Sequence, residues 1–141
     1  MNNANREALI ARINRKYWWH VPPQTGEAAY QERGKFFGSS FEEVEQYGKA
    51  ADAERHRVKV SNPLIGDHDE IEKRLGVPGQ REGETYEQMI AADKRWAKAA
   101  RAKGYDAIAF LSKKSFADFK KTGKLPRSIE LNILTPVGAR P

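Results

Sequence analysis

The sequence lacks several features that would point to common classes of function. None of its 141 residues is a cysteine, which excludes disulfides, thiolate metal sites and cysteine nucleophiles. No apolar run is long enough to cross a bilayer, and the first residues lack the basic, apolar and small-residue regions of a signal peptide. We therefore expect a soluble protein that stays in the cytoplasm and has no membrane partner.

The usual catalytic motifs are missing as well. No Gly-rich loop opens a predicted helix, no serine stands in a nucleophile elbow, and no HExxH sequence occurs. One of the three histidines lies in the acidic stretch GDHDE at residues 66–70. Because a helix cap and first turn favour acidic side chains, this stretch predicts the start of a helix, and no metal site is expected.

What is present is enough chain for one domain, with an uneven charge distribution. With 39% hydrophobic residues, residues 1–141 can bury one modest core and form a single domain. Residues 93–141 carry 12 Lys and Arg against 4 Asp and Glu, whereas residues 36–92 carry 7 against 12. Such a basic segment either attracts an anionic partner, such as nucleic acid, a dinucleotide or an acidic protein surface, or is a solvated helix face.

The hydrophobic periodicity predicts short helices and strands that alternate irregularly. Helical spacing and capping residues predict helices over residues 5–15, 41–54, 67–75, 85–103 and 114–124. Extended patterns predict strands over residues 16–21, 35–38, 56–64, 105–112 and 127–134. This mixture favours an α+β domain over a doubly wound sheet.

The last predicted strand, RSIELNIL at residues 127–134, alternates strictly between apolar and polar side chains. Successive side chains on a strand point to opposite faces, so Glu130 and Asn132 share the polar face. That face either meets water on an edge strand or lines a functional cleft. His20, the Phe36-Phe37 pair and Glu130 are the candidates for a site, since each lies on or at the end of a predicted strand.

Five stretches in order carry a resemblance to a known family: YWWHVP, GKFFGSSFEEVEQYG, HRVKVSNPL, KGYDAIAF and IELNILTP. Between residues 17 and 136 the chain resembles the small ADP-ribosyltransferase-like domains of the histidine-tyrosine-glutamate type, particularly those of bacteriophages. The resemblance implies a split β-sandwich of two small sheets around an NAD cleft, with flanking helices. It also implies a mono-ADP-ribosyltransferase that uses NAD as a substrate and needs no metal.

The resemblance assigns a role to each matched residue. Glu130 would be the catalytic carboxylate that stabilises positive charge on the ribose, His20 would bind a ribose hydroxyl, and Phe36 would stack on nicotinamide. The other residues expected at the dinucleotide are Val21, Ser39, Ser40, Tyr47 and Asn132. The chain has Val21 where the family has glycine, and Phe36 where tyrosine is common.

The resemblance also bears on the acceptor. Arginine-modifying relatives carry Glu or Gln two residues before the catalytic glutamate, where this chain has Ser128. The expected acceptor is therefore not arginine, and other side chains, nucleic acid, a small molecule or water stay open. A host protein with an acidic surface, or nucleic acid, would suit the basic residues before the last strand. By resemblance to phage members, a role in host takeover or in countering host defence is expected.

Two hypotheses from other classes remain open. One is a non-catalytic binding or inhibitor protein of the same fold, which grips a protein or nucleic acid with its basic C-terminal third. The other is a small nucleic-acid-binding protein in which Trp18, Trp19 and Phe36 are stacking platforms beside lysines.

Overall fold

The computed structural model describes residues 2–20, 32–39 and 54–134. In these segments the chain forms four helices and six strands. The helices are α1 (Asn3–Arg15), α2 (His68–Leu75), α3 (Tyr86–Ala102) and α4 (Lys113–Thr122). The strands are β1 (Tyr17–His20), β2 (Lys35–Gly38), β3 (Glu54–Arg57), β4 (Pro63–Gly66), β5 (Ala107–Phe110) and β6 (Glu130–Ile133).

Side-chain caps determine where the helices begin. Asp67 accepts a hydrogen bond from the backbone N–H of Glu70 at the start of α2, and Ser112 does the same for α4. Thr85 and Gln88 form a reciprocal capping box at the start of α3. The helix-start interpretation of residues 66–70 is therefore confirmed.

The six strands form one mixed sheet in the order β3-β1-β2-β6-β5-β4. Of the described strand pairs, only β4–β5 is parallel, and the intervening chain crosses over through α2 and α3. The last strand of the sheet along the chain, β6, is inserted between β2 and β5. Glu130 therefore lies on a central strand. The first of its two predicted settings, an edge strand that meets water, is wrong.

Strand alternation separates the side chains onto two faces of this sheet. The back face, which carries Trp18, Phe37 and Leu131, packs against α1 and α4 through Leu9, Ile13, Phe116 and Phe119. The front face carries Phe36, Ile108, Phe110, Glu130 and Asn132. Ile71 and Leu75 of α2 and Ala97 and Ala100 of α3 pack against its apolar part. Helices thus pack on the back face and on the apolar part of the front face.

The α+β class is confirmed, and the arrangement of the strands differs from the expectation in two ways. The described residues form one six-stranded sheet, not two small sheets. The strand predicted over residues 56–64 is two strands, β3 and β4, and Pro63 begins the second strand instead of ending the first. Proline is tolerated there because it is the first residue of the strand. The helix predicted over residues 41–54 falls almost entirely outside the described residues.

The described helices include none that is both long and apolar enough to cross a membrane.

Candidate functional site

A cavity of about 220 Å³ lies on the front face of the sheet, between the sheet, α3 and the segment before α3. Its lining combines aromatic, apolar and polar side chains. The lining residues are Phe36, His68, Gln80, Ala92, Asp93, Trp96, Ile108, Phe110, Glu130 and Asn132. Concave sites with apolar walls and a few convergent polar groups are the usual form of a small-molecule site.

Sheet register brings three of the predicted site residues to this cavity. Phe36 is the cross-strand partner of Asn132, and Gly38 is the partner of Glu130. Cross-strand partners in an antiparallel pair lie on the same face about 5 Å apart. Phe36, Glu130 and Asn132 therefore line one wall, although almost a hundred residues of chain separate the first from the other two.

A buried ion pair ties the strand side of the cavity to α3. Asp93 is only 9% exposed, and its Oδ2 accepts from Nη2 and Nε of Arg33 at 2.8 and 3.3 Å. Its Oδ1 accepts from Nε2 of Gln80 at 2.8 Å. The Arg33 guanidinium also lies 5.7 Å from the ring centre of Phe36. The pair thus fixes the distance between β2 and α3 across the cavity.

Asn132 is held by the chain that leads into β2. Its Nδ2 donates to the Arg33 carbonyl oxygen at 2.9 Å, and its amide packs against Gly34. Gly34 has φ +88°, and a Cβ there would overlap the Asn132 side chain, so only glycine fits. The Oδ1 of Asn132 is buried and has no hydrogen-bond partner among the described residues. A buried acceptor in this state is costly, and it lies against Gly34, where only glycine leaves room for it.

Trp96 of α3 and Phe110 of β5 add two further aromatic rings to the cavity lining. The Trp96 Nε1–H donates to the Val77 carbonyl at 3.2 Å, and the Trp96 ring centre lies 6.3 Å from that of Phe110. A Cβ at Gly79 would overlap the indole, so the backbone of the segment before α3 lies directly against the ring. The hydrogen bond to Val77 and the contact with Gly79 therefore fix the position of the Trp96 ring.

That segment, residues 77–84, is attached to α2 by charged groups. Glu72 accepts from the Gly79 N–H at 2.8 Å and forms an ion pair with Arg81, and the Arg81 hydrogen bond lowers the pKa of Glu72. The His68 Nε2 lies 2.9 Å from the Gln80 carbonyl oxygen, to which it can donate. His68, Asp69 and Glu72 are close enough together to hold a metal ion, but the contacts of His68 and Glu72 within the chain already account for their positions.

The structure does not bring His20 to the cavity. His20 is on the back face, 3% exposed, and its ring centre lies 5.0 Å from that of Phe37 and 6.1 Å from that of His56. Its Nδ1 lies 2.8 Å from the carbonyl oxygen of Phe36. His20 is therefore placed to hold the backbone of the cavity residue Phe36, and its ring faces away from the cavity.

The remaining predicted residues divide into two groups. Ser39 exchanges hydrogen bonds with Ile129, since its N–H donates to the Ile129 carbonyl at 3.3 Å and its Oγ accepts from the Ile129 N–H at 3.1 Å. It thereby extends the β2–β6 pairing. Val21, Ser40 and Tyr47 lie outside the described residues.

The basic segment lies away from the cavity. The α4 helix, which carries Lys113, Lys114, Lys120 and Lys121, packs on the back face through Phe116 and Phe119. A macromolecule that these lysines bind would therefore contact the side of the sheet opposite Glu130.

Sequence reasoning missed the residues that α3 and its preceding segment contribute. Asp93 and Trp96 are three residues apart on α3 and share the apolar side of that helix with Ala97 and Ala100, but neither was among the predicted site residues. An aspartate in register with that apolar side was the available signal for a buried polar contact. Gln80 and His68 carried no signal, because their position at the cavity depends on how residues 77–84 fold over α2.

Chemically, the cavity suits a flat, positively charged ring with a polar substituent. Phe36, Trp96 and Phe110 offer aromatic walls, and the faces of such rings attract cations. Asp93 is paired with Arg33, and Glu130 is a second carboxylate of the lining, on the sheet side. Comparisons with family models, with curated proteins and with solved structures found no match to this chain.

Proposed function

We propose that this protein is a mono-ADP-ribosyltransferase whose NAD site is built on the six-stranded sheet of the described residues, and that the cavity receives the nicotinamide end of NAD. The observation that carries the proposal is the convergence of Phe36, Glu130 and Asn132 on one cavity. The resemblance selected these residues from two distant parts of the sequence without knowledge of the sheet. The strands that carry His20, Phe36 and Glu130 are neighbours in the order β1-β2-β6.

The chemistry of NAD matches the cavity lining. The nicotinamide ring of NAD is flat and cationic, so aromatic walls favour it over the neutral nicotinamide that leaves. Its carboxamide carries hydrogen-bond donors and an acceptor, and Gln80 and Asn132 are polar side chains of the lining. The cavity volume of about 220 Å³ is below the roughly 300 Å³ at which sites for whole drug-sized ligands begin. The rest of the dinucleotide would therefore lie outside the cavity.

The reaction breaks the bond between the ribose C1′ and the nicotinamide nitrogen, and the bonding electrons leave with nicotinamide. Positive charge then develops on the ribose ring, as in glycoside cleavage. The Glu130 carboxylate would stabilise that charge and accept a hydrogen bond from a ribose hydroxyl. The acceptor group attacks C1′ and loses its proton. We propose a host protein as acceptor, modified at a side chain other than arginine.

In this proposal His20 is a positioning residue. Its ring nitrogen lies at the Phe36 carbonyl, so it would fix the angle at which the Phe36 ring meets nicotinamide. The direct contact with ribose that the resemblance assigned to His20 would require its ring to move to the other face of the sheet.

The test is to incubate the protein with NAD labelled in the adenylate phosphate and with a bacterial lysate, and to measure both nicotinamide release and label on macromolecules. Glu130→Gln should lower both rates by roughly 100-fold or more, the usual cost of removing a transition-state electrostatic group. Glu87→Gln, which changes an exposed carboxylate in the first turn of α3, is the matched control and should leave both rates unchanged.

Absence of nicotinamide release by the wild-type protein, with and without lysate, would refute the proposal. Equal rates for wild type and Glu130→Gln would refute the assignment of Glu130. If the protein binds NAD without consuming it, the non-catalytic hypothesis replaces this one.

A further inference from the structure

Two aromatic and two arginine side chains form a ladder at the β3 edge of the front face. Tyr17 and Trp19 of β1 are the cross-strand partners of Arg57 and Arg55 of β3. The Arg55 guanidinium carbon lies 5.2 Å from the Tyr17 ring centre and 5.8 Å from that of Trp19, and the Arg57 guanidinium carbon lies 5.4 Å from Tyr17. We call these four residues the arginine–aromatic ladder.

Three of the four ladder residues are exposed to solvent, and Trp19 is partly buried. Tyr17 is 52% exposed, an unusually high fraction for a large aromatic side chain. Arg55 and Arg57 are also exposed. A solvent-facing tyrosine that contacts two guanidinium groups is preorganised, because stacking restricts the arginine rotamers. The ladder therefore presents a flat aromatic and cationic surface at a sheet edge.

The positive charges of the ladder stay available to an anion. Among the ion pairs of residues 2–20, 32–39 and 54–134, none involves Arg55 or Arg57. The same holds for Lys59, an exposed residue that follows β3. Arg57 donates a hydrogen bond to the Asn14 carbonyl at 3.3 Å, which leaves further N–H donors on its guanidinium. Such donors match phosphate oxygens in geometry and charge.

We propose that the arginine–aromatic ladder binds single-stranded nucleic acid. Unpaired bases stack on exposed aromatic rings and on guanidinium planes, and adjacent cations bind the phosphates between them. Duplex DNA or RNA offers phosphates but keeps its bases stacked inside, so Tyr17 would gain nothing from it. Phosphate attraction alone would need only lysines, and the lysines of α4 already provide that elsewhere on the surface.

This surface differs from the stacking platform that the sequence suggested. Trp18 is fully buried on the back face, and Phe36 lines the cavity; of the three predicted aromatics, only Trp19 belongs to the ladder. The two strands of the ladder, β1 and β3, lie two and three strand positions from β6, which is about 10 and 14 Å at the usual spacing. Its binding does not depend on the proposed transfer reaction.

The experiment measures the fluorescence anisotropy of a labelled 12-nucleotide oligouridylate, and of a duplex of the same length, from 50 to 300 mM KCl. We expect the wild-type protein to prefer the single strand. Arg55→Ala/Arg57→Ala should weaken single-strand binding at least about 10-fold. It should also lower the slope of log K against log salt by about 1.4, since each phosphate contact to a single strand contributes roughly 0.7. Tyr17→Leu should weaken binding by about 5-fold or more, the effect of losing one stacked base.

The matched control is Lys120→Ala/Lys121→Ala, which removes the same charge from exposed positions of α4 on the back face. It should weaken binding by less than about 2-fold. Arg55→Lys/Arg57→Lys keeps the charge and the strand but loses the planar stacking, so it should also weaken binding and guards against misfolding of the alanine variant. Equal losses in the two alanine pairs, equal binding of duplex and single strand, or no binding at 50 mM KCl would each overturn the proposal.

Discussion

The ion pair between Arg33 and Asp93 is the most consequential single contact of the candidate site. Replacing Arg33 by methionine keeps most of the apolar stem and removes the guanidinium. Asp93, which is 9% exposed in the wild type, then keeps Gln80 as its remaining hydrogen-bond donor among the described residues. A buried carboxylate without its counter-charge is strongly destabilising.

The magnitude follows from the exposure of the two side chains. Breaking a fully buried pair costs about 3–5 kcal/mol, and breaking an exposed pair costs about 0–1 kcal/mol. The Arg33 and Asp93 side chains are 19% and 10% exposed, which is closer to the buried case. We expect Arg33→Met to lower the free energy of unfolding by about 2–3 kcal/mol. For a chain of 141 residues, that lowers Tm by about 7–10 °C.

The assay is urea unfolding at neutral pH, followed by tryptophan fluorescence, for Arg33→Met, Asp93→Asn and the double variant. Because the Asp93→Asn substitution removes the buried charge, the double variant should be less destabilised than the sum of the two single variants by about 1 kcal/mol or more. Lys94→Met is the matched control. It breaks the neighbouring pair with Glu32, whose side chains are 48% and 64% exposed, and should cost under about 0.5 kcal/mol. A cost for Arg33→Met as small as the control, or strict additivity in the double variant, would refute the reasoning.

Three further predictions concern backbone, charge and capping. Gly34→Ala should lower the free energy of unfolding by about 2–3 kcal/mol, because the positive φ of Gly34 is combined with an overlap between the new Cβ and Asn132. Gly83→Ala, at a similar φ but in open space, is the control and should cost about 1 kcal/mol. Thermal melting of the two variants measures the difference. The pKa of Glu72 is held below its ordinary value of 4.5 chiefly by the hydrogen bond from Arg81. The ionised Glu72 therefore contributes its full stabilisation at neutral pH and loses it as the pH falls below about 4.5. The urea midpoints measured at pH 7 and at pH 3.5 should differ less for Glu72→Gln than for the wild type. Thr85→Ala removes the capping box of α3 and should cost about 1 kcal/mol, whereas an unchanged urea midpoint would argue that the cap does not stabilise this helix.

Local patterns in the sequence predicted the elements of this protein well. The period and caps of α2 and α3 are local properties, since each cap bonds within three residues of itself. The alternation of residues 127–134 placed Glu130 and Asn132 on the face opposite Leu131 and Ile133, as the sheet register confirms. The boundary within residues 56–64 was wrong because proline, which removes a ladder donor, was taken to end a strand, although the first residue of a strand also tolerates it.

The candidate site was predictable only in part. Phe36, Glu130 and Asn132 lie on neighbouring strands and line one cavity; their role at a dinucleotide stays a prediction. His20 does not, because its position in β1 puts it in register with Phe37 and therefore on the back face, a consequence of pairing that one strand alone cannot reveal. Asp93 reaches the cavity through the packing of α3, at a sequence separation of 60 residues from its partner Arg33.

By itself the sequence determined the α+β class, the helix boundaries and the alternation that gives Glu130 a polar face, because these depend on neighbours within a few residues. Tertiary structure alone decided that the strands share one sheet, that β6 enters its centre, and that Glu130 meets Asp93 and Trp96 while His20 turns away. Those outcomes depend on strand order and register, which are set by the burial of two apolar faces at once and by contacts between residues far apart in the chain.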